Sequence, residues 1–107
     1  MNVLVISSSP NIDGLTAACA AAAIEGVSDA GGSAEEIRLN DLDIGSCEAC
    51  DDGWGPCRTE NECQVRDDFQ AIQSRVRDAE GLVFVTPVYF GEMSESAKAF
   101  ADRLRRC

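Results

Sequence analysis

Two runs of this chain are continuously apolar, Val3-Leu4-Val5-Ile6 and Leu82-Val83-Phe84-Val85, and each gives way to a polar or glycine-bearing turn and then to helical spacing. A short run of that kind predicts a strand covered on both faces, as in a parallel sheet. A third strand is predicted over Ala34 to Leu39. Helical patterning follows each strand: an Ala-rich stretch from about Leu15 to Ala30, a second from about Asp67 to Ala79, and a third from about Ser94 to Arg106. In the second, Phe69, Ile72, Val76 and Ala79 fall on one stripe. In the third, Ala97, Phe100, Ala101 and Leu104 do the same. Asp67 and Asp68 are placed to open the second helix, where negative charge is favoured, and Ser94 to cap the third. The predicted order is therefore βαβαβα, an α/β fold in one domain over residues 1–107.

The turns after the two apolar strands carry the candidate chemistry. Ser7-Ser8-Ser9-Pro10-Asn11-Ile12-Asp13-Gly14-Leu15-Thr16 offers hydroxyls and backbone N–H groups at a helix start, a combination suited to a phosphate. Thr86-Pro87-Val88-Tyr89-Phe90-Gly91 offers aromatic and apolar surface suited to a flat ring, and Gly91 lets the backbone come close. Ligands of open α/β sheets bind in the crevice outside the carboxyl ends of such strands.

Between the second strand and the second helix lies a stretch without apolar periodicity that holds Cys47, Cys50, Cys57 and Cys63 within 17 residues. Four thiolates can ligate a [4Fe-4S] cluster or a tetrahedral zinc, and a reduced, metal-free loop is the third possibility. The gaps after the Cys47-x2-Cys50 pair are six and five residues. Trp54, inside this loop, is placed to shield whatever the loop holds or to meet a partner. Cys19 falls in an Ala-rich helical run and is expected to pack as a small apolar residue, and Cys107 ends the chain.

Composition narrows the function. Nineteen acidic residues against nine basic ones give a net charge of −10, which argues against a nucleic-acid partner. The acidic, Ala-rich composition with a single lysine, Lys98, suggests a salt-loving source. No stretch approaches the length of a membrane span and no basic leader precedes the first strand, so a cytoplasmic location is expected, where clustered cysteines signal metal or redox chemistry more often than disulfides. With no histidine in the chain, the Ser-His and Cys-His nucleophile systems are excluded.

The serine turn, the cysteine loop ending in Asp67-Asp68-Phe69 and the segment TPVYFGEMSESAKAFADR occur in this order across nearly the whole chain, and together they resemble the flavodoxin-like flavoproteins of the NADPH-dependent FMN reductase and iron-sulfur flavoprotein branch. The resemblance implies a doubly wound parallel sheet of which this chain holds the first three strands, and FMN bound at their carboxyl ends. Ser7, Ser9, Asn11, Gly14, Leu15 and Thr16 then form the phosphate turn, and Pro87, Val88, Tyr89, Phe90 and Gly91 border the ring. It further implies a [4Fe-4S] cluster on Cys47, Cys50, Cys57 and Cys63, NAD(P)H as electron donor, and an FMN reductase-like oxidoreductase or electron-transfer activity in a homo-oligomer. Similar proteins often carry a basic residue at the position of Asn11, so the phosphate turn here brings no cation of its own. The third strand is left as a sheet edge despite its apolar character, which favours a fragment of a longer flavoprotein over an incomplete gene product or a subunit whose sheet another chain completes. The alternative function is a zinc-binding or metal-free interaction protein, or an inactive fragment, on a partial α/β fold.

Overall fold

The computed structural model describes residues 1–105. Three parallel strands, β1 (Asn2–Ser7), β2 (Ser33–Arg38) and β3 (Gly81–Val85), form a sheet in the order β2-β1-β3. The register sets Ser7 beside Arg38 on one side and Val85 on the other. Successive side chains of a strand point to opposite faces, so β1 feeds two cores. Val3 and Val5 meet Ala20 of α1 (Leu15–Asp29), with Ile24, Val27, Val83 and Val85 packed around them. Leu4 and Ile6 meet Phe69 and Ile72 of α3 (Phe69–Asp78) and Phe100 of α4 (Glu95–Arg103). Helices therefore cover both faces, the doubly wound arrangement expected from the alternation of strands and helices.

Boundaries moved where a side chain found a better partner than the pattern allowed for. The second strand stops at Arg38 because Leu39 turns into the core in a 3₁₀ turn, Leu39–Asp41. The second helix begins at Phe69 rather than Asp67, whose carboxylate is drawn into an ion pair. The last helix ends at Arg103, and Arg106 and Cys107 lie outside the described residues. Ser94 caps that helix as expected, its hydroxyl accepting from the Ala97 N–H. Cys19 is exposed rather than packed, because the phase of α1 turns Ala20 inward instead.

Two short strands were not foreseen. β4 (Val88–Tyr89) and β5 (Glu92–Met93) form an antiparallel hairpin closed by Phe90 and Gly91, both in the left-handed region with φ of 51° and 75°. Two consecutive positive φ values are the mark of a type I′ turn, whose usual signature is Asn-Gly. A phenylalanine in the first position hides it from pattern reading. In the cysteine loop, Cys50–Gly53 makes a single distorted turn, α2, flanked by Ala49 with φ of 47° and containing Asp51 with φ of 41°.

Candidate functional site

Both predicted turns leave the same end of the sheet, from neighbouring strands, and are joined at their roots. The Ser8 N–H and hydroxyl both donate to the Val85 carbonyl, at 3.0 and 3.2 Å. The Ser94 hydroxyl donates to the Ser8 carbonyl at 2.8 Å, and the Ser94 N–H donates to Thr86 Oγ1 at 2.9 Å. Ser8, Thr86 and Ser94 are thus the fasteners between the two turns. Sequence reading had assigned none of them that role, since it appears only once β1 and β3 are known to be neighbours.

Eight predicted residues come together on one cleft of about 440 Å³: Ser9, Asn11, Gly14, Leu15 and Thr16 on one wall, Pro87, Val88 and Tyr89 on the other. Ser7, Phe90 and Gly91 stand outside its lining. The Ser7 hydroxyl lies below the turn and donates to the Glu36 carboxylate at 2.8 Å, whereas Phe90 sits fully exposed at the hairpin tip. Ser9 Oγ accepts from the Asn11 N–H at 3.2 Å and shapes the turn. At the mouth of α1, Gly14 provides no side-chain cap and the first turn has no acidic residue. The helix therefore presents N–H donors and the positive end of its dipole to the cleft. A cation does stand near: Arg38, set beside Ser7 by the strand register, donates from Nη2 to the Ser9 carbonyl at 3.4 Å while pairing with Asp41 at 3.0 Å.

A second cleft, about 580 Å³, opens on the other side of Ser8, Pro10 and Tyr89 and is walled by Asn40, Ile44, Gly45 and the start of α4 at Ser94, Glu95 and Ser96. Tyr89 borders both clefts, two spaces of the size that small ligands occupy.

Cys47, Cys50, Cys57 and Cys63 all line one pocket, together with Asp102, Arg103 and Arg105. The space between them is about 20 Å³, and among the described residues no group of three Cys, Asp or Glu already stands as a metal-holding set. The donors are gathered but not yet at ligand spacing. Burial pushes the Cys50 thiol above its ordinary pKa, and Glu48, Cys63 and Cys47 push the same way against a backbone hydrogen bond. Cys47 Sγ accepts from the Ala49 N–H at 3.4 Å.

The base of this loop is closed by one side chain from α4. Arg103, its side chain wholly buried, donates from Nη1 to the Gly45 carbonyl at 3.0 Å and to Asp67 at 2.7 Å, and from Nη2 to the Val65 carbonyl at 2.8 Å. Gly45 and Val65 bracket the cysteines, so a single guanidinium holds both ends. Its face lies 4.3 Å from the centre of the Phe69 ring. Desolvation disfavours the Arg103 charge, but the hydrogen bond to Asp67 and the nearness of the Cys63 sulfur outweigh it and raise its pKa. For Asp67, burial acts to raise the pKa, yet Arg103 and the Gly45 and Phe69 N–H groups bring it below the usual carboxylate value. Nearby, Arg105 lies over the Trp54 ring at 4.1 Å and donates to the Gly53 carbonyl.

The chain is 32% identical over 105 residues to an iron-sulfur flavoprotein of Methanocaldococcus jannaschii, covering 98% of this chain and 52% of that protein. It is 29% identical over 103 residues to an iron-sulfur flavoprotein of Methanosarcina thermophila, covering 96% and 52%. It thus spans about half the length of the curated relatives it matches. Among solved structures, a flavone reductase superposes with a TM-score of 0.72 at 25% identity, over 96% of this chain and 29% of the other. RosB, solved with a bound intermediate, superposes with a TM-score of 0.77 at 20% identity, over 97% and 42%, and shares the flavodoxin-like fold. The NADPH-dependent FMN reductase family matches residues 1–107, and the chain belongs to that family.

Proposed function

We propose that this chain is the FMN-binding part of an oxidoreductase that draws electrons from NAD(P)H and passes them on through a [4Fe-4S] cluster in the cysteine pocket. The observation that carries the reading is the junction of the serine turn and the Pro-aromatic turn across β1 and β3. It sets an uncapped helix N-terminus and an apolar wall on opposite sides of one cleft. The residues fit the cofactor: first-turn N–H groups of α1, with Ser9 and Thr16, receive the phosphate, and Arg38 supplies the cation that the turn itself lacks. Pro87, Val88 and Tyr89 border the ring and keep water from one of its faces. Bound FMN supplies the hydride and electron chemistry, and the protein supplies placement and electrostatics.

The cysteine pocket fits a cluster by donor chemistry. Four cysteines, soft ligands once deprotonated, and a buried arginine face one space in a chain without histidine, although the loop has to open to admit four irons. A cluster there supplies single-electron steps. The relatives named iron-sulfur flavoproteins support this reading over zinc. An apolar rim of Ile12, Leu15, Val88, Tyr89 and Phe90 surrounds the flavin cleft and suits a second copy of the protein. No described helix is long and apolar enough to cross a membrane. The acidic composition with a single lysine supports a cytoplasmic protein of a salt-rich cell.

The test is an absorption spectrum, with iron and zinc analysis, on protein purified anaerobically in high salt and supplied with FMN. Flavin absorbance retained through desalting, with about four irons per chain, is the expected result. Folded, colourless protein that ignores FMN sinks the reading, and zinc in place of iron sinks the cluster alone.

A further inference from the structure

One buried donor beside the cysteine pocket has no partner. Arg103 spends Nη1 and Nη2 on Gly45, Asp67 and Val65, but its Nε–H is buried and has no acceptor. A buried donor without a partner is costly and rarely kept. This one belongs to a side chain that lines the pocket into which all four cysteines open. Cys63 lines that pocket beside Arg103 and packs against the same core cluster as Phe69, the ring beneath the guanidinium.

We propose that Arg103 is a positioning residue for the cysteine centre: its Nε–H donates to the Cys63 sulfur, fixing that ligand and stabilising the negative charge of the reduced centre. The inference rests on the reading that the cysteines hold a cluster. Physically, an N–H directed at a ligand sulfur, and a cation beside it, both favour the reduced form and raise the reduction potential. The side chain's other bonds suit it to the task. They lock the fork between two backbone carbonyls and a carboxylate, so the Nε–H direction is set before any ligand arrives. Arg105, stacked on Trp54 at the same pocket, adds a second cation in a chain whose net charge is −10.

The experiment compares the full chain with Arg103→Lys and Phe69→Leu after anaerobic reconstitution with ferrous iron and sulfide. It reads iron per chain, far-UV circular dichroism, and a redox titration of the cluster without flavin. Lysine can keep the pair with Asp67 but cannot donate from the Nε position as well. Phe69→Leu loosens the packing under the guanidinium and leaves the donor in place. Arg103→Lys is expected to fold and hold the same iron, while its ratio of reduced to oxidised cluster at a fixed potential falls about tenfold, about 59 mV for a one-electron couple. Phe69→Leu is expected to stay within about twofold on the same scale.

A fully loaded Arg103→Lys protein with an unshifted potential overturns the inference and leaves the cluster reading standing. An equal shift in Phe69→Leu also overturns it, because the effect is then one of packing. Wild-type chain that takes up no iron overturns both. If Arg103→Lys does not fold, the paired change Asp67→Asn with Arg103→Gln removes the buried charges together, and the same tenfold fall is expected of it.

Discussion

At Asp67 three donors converge on one carboxylate: the Arg103 guanidinium and the N–H groups of Gly45 and Phe69. Its pKa is lowered in the folded chain, so below the unfolded value of about 3.9 the unfolded state binds more protons. The stability this group contributes is complete above about pH 4 and is lost as pH falls through its folded value. Urea titrations between pH 3 and 6 should show that loss, and the Asp67→Asn/Arg103→Gln protein should lack this part of it. A neighbouring carboxylate acts the other way. Glu36 holds the Ser7 hydroxyl beneath the serine turn, and a nearby negative charge opposes the binding of a phosphate there by about 0.5 kcal/mol in water. Glu36→Gln should therefore tighten FMN about twofold, measured by quenching of flavin fluorescence.

Among the elements, β3 and α4 show what burial is worth. Phe100 of α4 is fully buried against Phe69 and Phe84, while Phe84 and Leu82 on the edge strand β3 remain 42% exposed. Phe100→Ala should cost about 3–5 kcal/mol in urea unfolding, and Phe84→Ala less than half of that. The order of elements along the chain and the helix stripes were legible because a 3.6-residue or continuous apolar pattern depends only on which face is covered. Three things were not. Arg103 falls on the core side of α4, and nothing in a charged letter announces that a carboxylate 36 residues away will bury it. The hairpin is hidden by Phe90 in a conformation that pattern reading assigns to Asn or Gly. Arg38 reaches the serine turn only because the register pairs it with Ser7, and register is a property of the assembled sheet. The site was therefore readable as two turns, whereas the bonds that join them were not.

At the scale of the whole molecule, a radius of gyration of 14.5 Å exceeds the value of about 13 Å expected for a chain of this length. A three-stranded sheet is thin, and much of its charge is like charge: −10 spread over extents of 45 × 32 × 21 Å. Self-repulsion on this scale is screened over about 10 Å at 0.1 M salt and about 3 Å at 1 M. The melting temperature should accordingly rise by several degrees between these two concentrations, about 1 kcal/mol of added stability by thermal scan. The closed base of the cysteine loop has a different consequence. Because Arg103 holds Gly45 and Val65 together, the sheet and helices do not register how many residues run between those two points. The segment is a cassette on a sealed mount, and its length and cysteine spacing can change from one protein to another while the scaffold beneath keeps its coordinates.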